Sequence, residues 1–350
     1  GGVVWDVSQS GRTVVRANAG VYYARQNMLS QVGSVTTNGI QQKGDFRDST
    51  FTSFADMPVW PNLLAPSAVP AGTFPLFTGV RVFDRNYRNP RVYSFNAGFD
   101  QQVAPNMAAY VDFTVAKGTH LTRFLNYNVH GTAAAATQPA TRDTTTYTGA
   151  NPFEPALADV FVSNSRGHGL YRGATFGLRK LFSQHYQLEA NYVVAKDEDD
   201  DSNERDPFTD RSFNFYDLAL DYGRSDRDIR HKVNVFTYAE LPRQFLVNVR
   251  AQGRTAQPIT TSPRVLNGVD RGRNWDRKDN KYFSLDWRLQ RPFRLGTRAQ
   301  VIPSFEMFNT FNNANNVNPL TTPALFNFDG FLRQGVGDPR QAQLAVKVTF

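Results

Sequence analysis

The last eleven residues of the chain alternate between apolar and polar side chains, a period that gives an extended strand two different faces. The predicted apolar, membrane-facing side of this terminal strand consists of Ala342, Leu344, Val346, Val348 and Phe350, and Lys347 lies on the other side. The length suits a tilted strand in a bilayer, which needs about 9–11 residues. The last strand of a soluble β-sandwich would show the same pattern, so the remaining sequence must decide between the two.

The same alternation recurs along the chain in about eleven segments, joined in turn by tight turns and by long connections. We predict tight turns at residues 8–11, 104–106, 183–185 and 242–243, and long connections at 26–89, 129–169, 196–228, 253–280 and 312–339. Soluble propellers and sandwiches have connections of more even length, whereas a membrane barrel has short turns on one side and long loops on the other. The sequence therefore predicts an all-β fold, an antiparallel transmembrane β-barrel with long outer loops and short periplasmic turns.

Composition is consistent with such a barrel and excludes several other classes. Hydrophobic residues make up 40% of the chain, mean hydropathy is -0.47, and no run of 18 apolar residues occurs, which excludes a transmembrane helix. Aromatic residues, at 13%, suit girdles at the two membrane interfaces. The absence of cysteine excludes disulfides and thiolate metal sites. The net charge of +8 comes from basic residues spread singly, so we expect no nucleic-acid partner.

Six stretches, taken in order, resemble Oar-like TonB-dependent outer-membrane receptors. They are WDVSQSGRTVVRANAGVYYARQ (residues 5–26), RNPRVYSFNAGFDQQVAPNMAAYVDFTVAKGTHL (88–121), YRGATFGLRKLFSQHYQLEANYVVAKDEDD (171–200), DRDIRHKVNVFTYAELP (226–242), FEMFNTFNNANN (305–316) and GDPRQAQLAVKVTF (337–350). Together they cover most of the predicted strands, and the long connections carry no part of the resemblance.

The resemblance implies a 22-stranded barrel with an amino-terminal plug, energised through a periplasmic TonB-type protein. Residues 1–350 would then be the carboxy-terminal portion of a single barrel domain, about half of it or roughly 11–12 strands, without the plug. The aromatic end of the chain resembles the terminal strand that the barrel-assembly machinery recognises. The implied localisation is the outer membrane of a Gram-negative-type bacterium. The implied partners are outer-membrane lipid, the assembly machinery, the TonB-type protein and a large substrate that the sequence does not identify.

One cluster of side chains has metal-ligand chemistry. Hard oxygen ligands, which calcium prefers, are supplied by Asp197, Asp199, Asp200, Asp201, Asn203, Glu204 and Asp206. The glycine at the sixth position and the spaced glutamate of an EF-hand are missing, so we interpret the cluster as a solvated acidic outer loop. The five histidines fit no zinc motif, and no nucleophile elbow or P-loop occurs. We therefore predict no enzyme activity, no metal and no cofactor.

Two other functions stay open at this point. The chain could belong to a non-transporting surface barrel, an adhesin or structural protein that uses the same loops. It could also be a soluble β-sandwich that serves as a binding module. A plug and a TonB-contacting segment upstream would argue against the first, and partition into the membrane fraction against the second.

Overall fold

A computed structural model describes residues 1–26, 28–36, 80–127, 160–202, 212–213, 215, 217–261, 263–296, 298–316 and 338–350. Nearly all the regular structure in these residues is β-strand. The elements are β1 (Gly2–Asp6), β2 (Thr13–Tyr23), α1 (Met28–Thr36), β3 (Val80–Phe83), β4 (Arg91–Ala104), β5 (Met107–Asn126), β6 (Val160–Ser183), β7 (Tyr186–Asp199), β8 (Gly223–Arg224), β9 (His231–Leu241), β10 (Phe245–Arg254), β11 (Pro258–Ile259), β12 (Val265–Leu266), β13 (Val269–Asp270), β14 (Asp276–Arg277), β15 (Tyr282–Gln290), β16 (Phe293–Leu295), β17 (Ala299–Phe308) and β18 (Gln341–Thr349). Among these residues, no helix has the length and apolar character needed to span a membrane.

A single 14-stranded sheet dominates the fold, with the order β1-β2-β4-β5-β6-β7-β9-β10-β15-β17-β18. The three remaining strands of the sheet are short and lie beside this path: β3 pairs with β6, β8 with β7 and β16 with β17. Every pairing is antiparallel except that of β3 with β6. Consecutive long strands are therefore neighbours in space, which confirms the predicted antiparallel architecture of about eleven strands. Within the described chain, β1 and β18 each pair with one neighbour, so the sheet is open.

Tight turns and long connections alternate between the two ends of the sheet. Residues 105–106, 184–185 and 242–244 link strands at one end, which we call the turn end, and Thr349 reaches that end opposite Gln300. The other end, the loop end, carries the long connections. At residues 184–185, Gln184 and His185 have φ angles of 51° and 69°, the left-handed values of a type I′ hairpin. The prediction that the short turns lie together at one end of the sheet is thus confirmed, and the assignment of that end to the periplasm stays a prediction.

Two strands are longer at the loop end than the alternation predicts. The alternation is regular only over residues 107–115 and 170–182, but β5 continues to Asn126 and β6 begins at Val160. The pairing of β5 with β6 shifts register beside Leu121, and His120 has a φ of 57°. Such bulges add a residue to one strand and reverse the alternation beyond them. The period-two signal is therefore lost where the strand itself continues.

Three connections that the sequence predicts as irregular contain regular structure. Residues 26–89 include α1 and β3, and residues 253–280 include the short pairs β11–β14 and β12–β13. Residues 196–228, predicted as an acidic loop, begin inside β7 and include β8. The short strands in these segments were missed because strands of two to four residues do not show a period. The low-complexity run at residues 131–146 lies outside the described residues.

Few hydrophobic side chains of the described residues are buried. They are Val80, Phe124, Leu125, Val160, Val162 and Ala195, and five of these six lie near the loop end. Many large apolar side chains on the strands are instead exposed, including Phe95, Phe113, Phe176 and Leu344. A soluble protein rarely exposes contiguous apolar surface of this extent. The sheet is therefore built as a wall with an apolar surface and not as one layer around a protein core.

Candidate functional site

The apolar surface is continuous across the sheet because the registers align it from strand to strand. One row of directly paired residues runs through Trp5, Val15, Phe99, Val111, Phe176, Tyr192, Val233, Gly253 and Phe283. Each member lies on the same side of the sheet as its partner, since paired residues point the same way. We call this side the apolar face.

The terminal strand extends the apolar face to the edge of the sheet. Ala342, Leu344, Val346 and Val348 pair with Met307, Phe305, Pro303 and Val301, and Leu289 lies beyond Phe305 on β15. Leu344 is 82% exposed. Phe350 follows the end of β18 and is also exposed. The predicted residues therefore share one apolar face, and its contact with lipid stays a prediction.

Ion pairs line the opposite side of the sheet, which we call the polar face. Arg16 on β2 contacts Asp112 on β5 at 2.9 Å and Asp100 on β4 at 3.1 Å. Gly98 lies between Arg16 and Asp112 in the register, and a Cβ there would stand 2.2 Å from Asp112 Oδ1. Because Gly98 has no side chain, the Arg16 guanidinium can reach across β4 to Asp112. Nearer the other edge, Arg288 on β15 pairs with Glu306 on β17 at 2.6 Å. Arg179 on β6 and Glu189 on β7 form another pair on this face.

Uncharged amide and hydroxyl side chains form hydrogen-bonded ladders on the same face. Thr114 donates to Asn96 Oδ1 at 2.7 Å, and Asn96 Nδ2 donates to Asn18 Oδ1 at 3.0 Å. A second ladder crosses β7, β9 and β10 through Asn191, Asn234 and Gln252, with distances of 2.9 and 3.2 Å. Such groups are stable in contact with water or with a hydrated substrate. The polar face has the chemistry of a wet interior wall.

A network of arginine–carboxylate pairs lies at the loop end. Arg123 on β5 contacts Asp221 at 2.6 Å, and both side chains are 1% exposed. Arg264 reaches the other oxygen of Asp221 at 3.8 Å and Asp270 at 2.7 Å. Its guanidinium also lies 3.7 Å from the centre of the Phe213 ring. Through these contacts residues 217–222 and 264–270 are attached to the extension of β5.

The rest of the network attaches the same connections to β7. Arg273 binds the Asp199 carboxylate, and Arg277 pairs with Asp228 at 2.8 Å. Asn274 donates to Asp226 Oδ1 at 2.7 Å. Sequence reasoning missed the whole network. Arg and Asp are interleaved in residues 221–230 and 264–277, and this pattern could have indicated the network. An analysis based on hydrophobic periodicity does not use it.

Burial sets the protonation behaviour of two acids in the network. Burial raises the pKa of Asp197 to about 6; Arg227 opposes the shift, and Asp199 and Asp228 add to it. Burial also raises the pKa of Asp221, against the opposing effect of its Arg123 partner. Both groups lie outside the bilayer-length part of the strands.

The acidic cluster is not the solvated loop that the sequence suggested. Asp197 and Asp199 belong to β7, and Asp199, Asp200 and Asp201 are buried. Asp199 is held by Arg273 and Ser202, and Asp200 accepts the His168 backbone N–H at 2.6 Å. Asn203, Glu204 and Asp206 lie outside the described residues. In the described portion, no group of three or more His, Cys, Asp or Glu side chains is placed to hold a metal ion.

Asparagines close the loop end of β17. Asn309 donates through its backbone to Asp286 Oδ1 at 2.9 Å, and its side chain donates to the carbonyls of Asn313 and Asp338. Asn312 accepts the Arg340 backbone N–H at 2.9 Å. Asn309 and Asn312 therefore close the end of β17 and hold the residues that precede β18.

A positively charged side chain marks the turn end of the apolar face. Lys180 on β6 is 4% exposed, although its neighbours along the face are apolar. Its ammonium group bends toward the hairpin and donates to the carbonyls of Ser183 and Tyr186 at 2.6 and 3.0 Å. It also lies 3.8 Å from the centre of the Tyr186 ring. A lysine whose stem lies on apolar surface while its charge reaches a polar boundary is typical of a membrane interface.

A family model described as "Outer membrane beta barrel domain" matches residues 1–261. No curated protein matches the chain. Solved structures of outer-membrane transporters and receptors share the fold. The outer membrane transporter YddB from Escherichia coli aligns with a TM-score of 0.58 and 9% identity, over 99% of this chain and 40% of that chain. The pyoverdine outer membrane receptor FpvA from Pseudomonas aeruginosa aligns with a TM-score of 0.52 and 10% identity, over 100% of this chain and 35% of that chain.

The sheet, its two faces and these matches define a class: a wall of an outer-membrane β-barrel. The chain belongs to the outer membrane beta-barrel domain family. It spans 40% or less of the length of the receptors and transporters named above. The localisation expected from the sequence, the outer membrane of a Gram-negative-type bacterium, is confirmed, and the soluble β-sandwich alternative is excluded.

Proposed function

We propose that the chain is the carboxy-terminal barrel portion of an Oar-like TonB-dependent receptor that moves a large substrate across the outer membrane. The observation that supports this most is the polar face, where ion pairs and amide ladders give the wall of a hydrated interior. The fold, shared with outer-membrane receptors, agrees with it. The six sequence stretches given above favour the Oar-like subtype.

The arginine–carboxylate network gives the loop end a role in binding. It attaches two connections, residues 200–230 and 255–281, to the strands that extend farthest, β5 to β7. A binding surface on rigid elements loses less entropy when it captures a partner than one on unattached loops. We infer that a large substrate first contacts this end, and that the energy for its passage comes from a TonB-type partner through a plug. The barrel-assembly machinery would recognise the terminal strand.

The gene upstream of residue 1 provides the first test. We expect it to encode a plug domain and a TonB-contacting segment. A cysteine placed in that segment of the full-length protein should cross-link to the periplasmic energy-coupling protein in cells, since this part of the chain has no cysteine of its own. A gene without a plug, or the absence of cross-linking with a correctly assembled barrel, would favour the non-transporting surface barrel instead.

A further inference from the structure

A groove of about 580 Å³ opens beside the apolar face near the loop end. Its floor is formed by Gly253 on β10, and Val233 on β9, the partner of Gly253 in the register, flanks the floor. Tyr192 and Phe283 form its two walls and are each 40% exposed. The groove is therefore lined on three sides by apolar or aromatic surface.

Gly253 keeps the groove open. A Cβ at this position would stand 3.1 Å from Val233 Cγ1 and 3.4 Å from Phe283 Cδ2, so any larger side chain would fill the space between them. Toward the turn end the same face of β10 continues with Ala251 and then Val249. The side chains thus increase in size away from the groove, and they leave a shallow furrow along the strand.

The rim of the groove at the loop end is polar and positively charged. His231 lies there, with its Nδ1 2.7 Å from the Tyr192 hydroxyl and its ring stacked on the Tyr192 ring. Lys281 lies on the other side of the rim and is exposed. Asp279 also lines the groove, and its carboxylate accepts a hydrogen bond from Asn316 Nδ2 at 2.7 Å. Within the described residues Lys281 has no ion-pair or hydrogen-bond partner.

The groove lies at the depth where a bilayer changes from hydrocarbon to headgroups. β9 has 11 residues, and His231 is the residue farthest from its tight turn. A tilted strand of about 9–11 residues crosses the hydrocarbon layer. If the apolar face contacts lipid, as the proposed function requires, the furrow lies in the hydrocarbon and the rim among the headgroups of the outer leaflet.

We propose that this groove binds one phosphate-bearing lipid of net negative charge from the outer leaflet. One acyl chain occupies the furrow over Gly253 and Ala251, between Val233 and Phe283. The phosphate lies at the rim, where Lys281 supplies the charge and Tyr192 and His231 supply hydrogen bonds. A lipid without net negative charge fills the furrow equally well but gains nothing from Lys281. The net charge of the lipid therefore distinguishes the lipid that the groove binds specifically from the other lipids of the bilayer.

Native mass spectrometry of the full-length protein in detergent tests this assignment. The probes are phosphatidylglycerol and phosphatidylcholine with the same acyl chains, added in equal amounts. We expect one phosphatidylglycerol to be retained in preference to phosphatidylcholine. Lys281→Gln should lower phosphatidylglycerol retention about fivefold, the factor for roughly 1 kcal/mol per surface lysine. Gly253→Leu should lower retention of both lipids.

Two matched controls keep the test specific. Lys117→Gln removes another exposed lysine from the apolar face, on β5, and Ala174→Leu adds the same side chain to that face on β6. Both should retain phosphatidylglycerol as the unchanged protein does. The assignment is overturned if Lys281→Gln has no effect or if Lys117→Gln lowers retention equally. Lys281→Gln, at an exposed site, decides the question even if Gly253→Leu does not assemble.

The proposed function can fail separately from this site. If the full-length protein stays monodisperse in buffer without detergent, the apolar face does not contact lipid and both ideas fail. If the protein requires detergent but the groove variants retain phosphatidylglycerol unchanged, only the lipid site is refuted.

Discussion

Charge substitutions on the two faces of the terminal strand should have opposite consequences for stability. Leu344 is the fourth of nine residues in β18, and its partner across the sheet is Phe305. Gln343, the preceding residue, is paired with Glu306 on the polar face, and Glu306 already binds Arg288. Leu344→Arg therefore places a guanidinium on the apolar face near mid-depth. Gln343→Arg places the same group on the polar face, beside the Glu306 carboxylate.

The expected difference is large enough to measure. An arginine on the lipid side of a barrel costs about 2–4 kcal/mol at the midplane and roughly 0–1 kcal/mol near the interfaces. Because Leu344 lies near the middle of its strand, we expect the larger of these two costs. Gln343→Arg should change the free energy of unfolding by less than about 1 kcal/mol, because exposed polar substitutions usually have small effects. Leu344→Ala serves as control, since it removes the contacts of the leucine without adding a charge.

The assay is equilibrium urea unfolding of the full-length protein in lipid vesicles, followed by tryptophan fluorescence. Folded and unfolded species are checked by their migration in gels before and after boiling. We expect Leu344→Arg to be less stable than Leu344→Ala, and Gln343→Arg to match the unchanged protein. Equal destabilisation by the two arginines, or a stable Leu344→Arg variant, would refute the assignment of the apolar face to lipid.

Three further predictions concern the loop end. Arg123→Met removes the closer partner of the buried Asp221 carboxylate and leaves Arg264 at 3.8 Å. Hydrogen exchange at the end of β5 should then report a loss of local stability of about 3–5 kcal/mol. An unchanged exchange rate would show that the pair is dispensable. The pKa of Asp197, raised to about 6 from 3.8, means that the folded state binds more protons between these values, so its stability falls as pH rises through this window. After discounting for partial exposure, Asp197→Asn should therefore stabilise the protein by about 1 kcal/mol at pH 8 and by almost nothing at pH 4. Urea unfolding at the two pH values measures the difference. Calorimetric titration with calcium should show no micromolar binding, because Arg273 occupies the Asp199 carboxylate. Micromolar binding that is lost in Asp199→Asn would contradict the prediction.

The sequence was sufficient to predict the part of the fold that follows from a period of two. The strands from residues 91, 186, 231 and 282 begin where the alternation places them. The apolar face follows from the same period, because its residues occupy alternate positions in every long strand. The hairpin at Gln184 and His185 was located by the break in the alternation, although Gln184 is not one of the residues that favour positive φ.

The loop end could not be predicted in the same way. Beyond His120 a bulge reverses the alternation, and the pairing of Arg123 with Asp221 joins residues 98 positions apart. No local pattern specifies which arginine meets which carboxylate. Asp199 was assigned to a solvated loop because acidic runs usually are solvated, and it is buried because Arg273 comes from a connection 74 residues later. Long-range charge pairing is decided by the folded geometry.

The unequal lengths of the strands give the described barrel wall a sloping rim. β6 has 24 residues, about 80 Å measured along the strand, and β18 has nine, about 30 Å. Both reach the same turn end, so among the described residues the whole difference lies at the loop end. Under the proposed function, a large substrate that arrives at the loop end would meet the extended strands β5 to β7 first. The extension would then restrict the angle of approach before any specific contact forms.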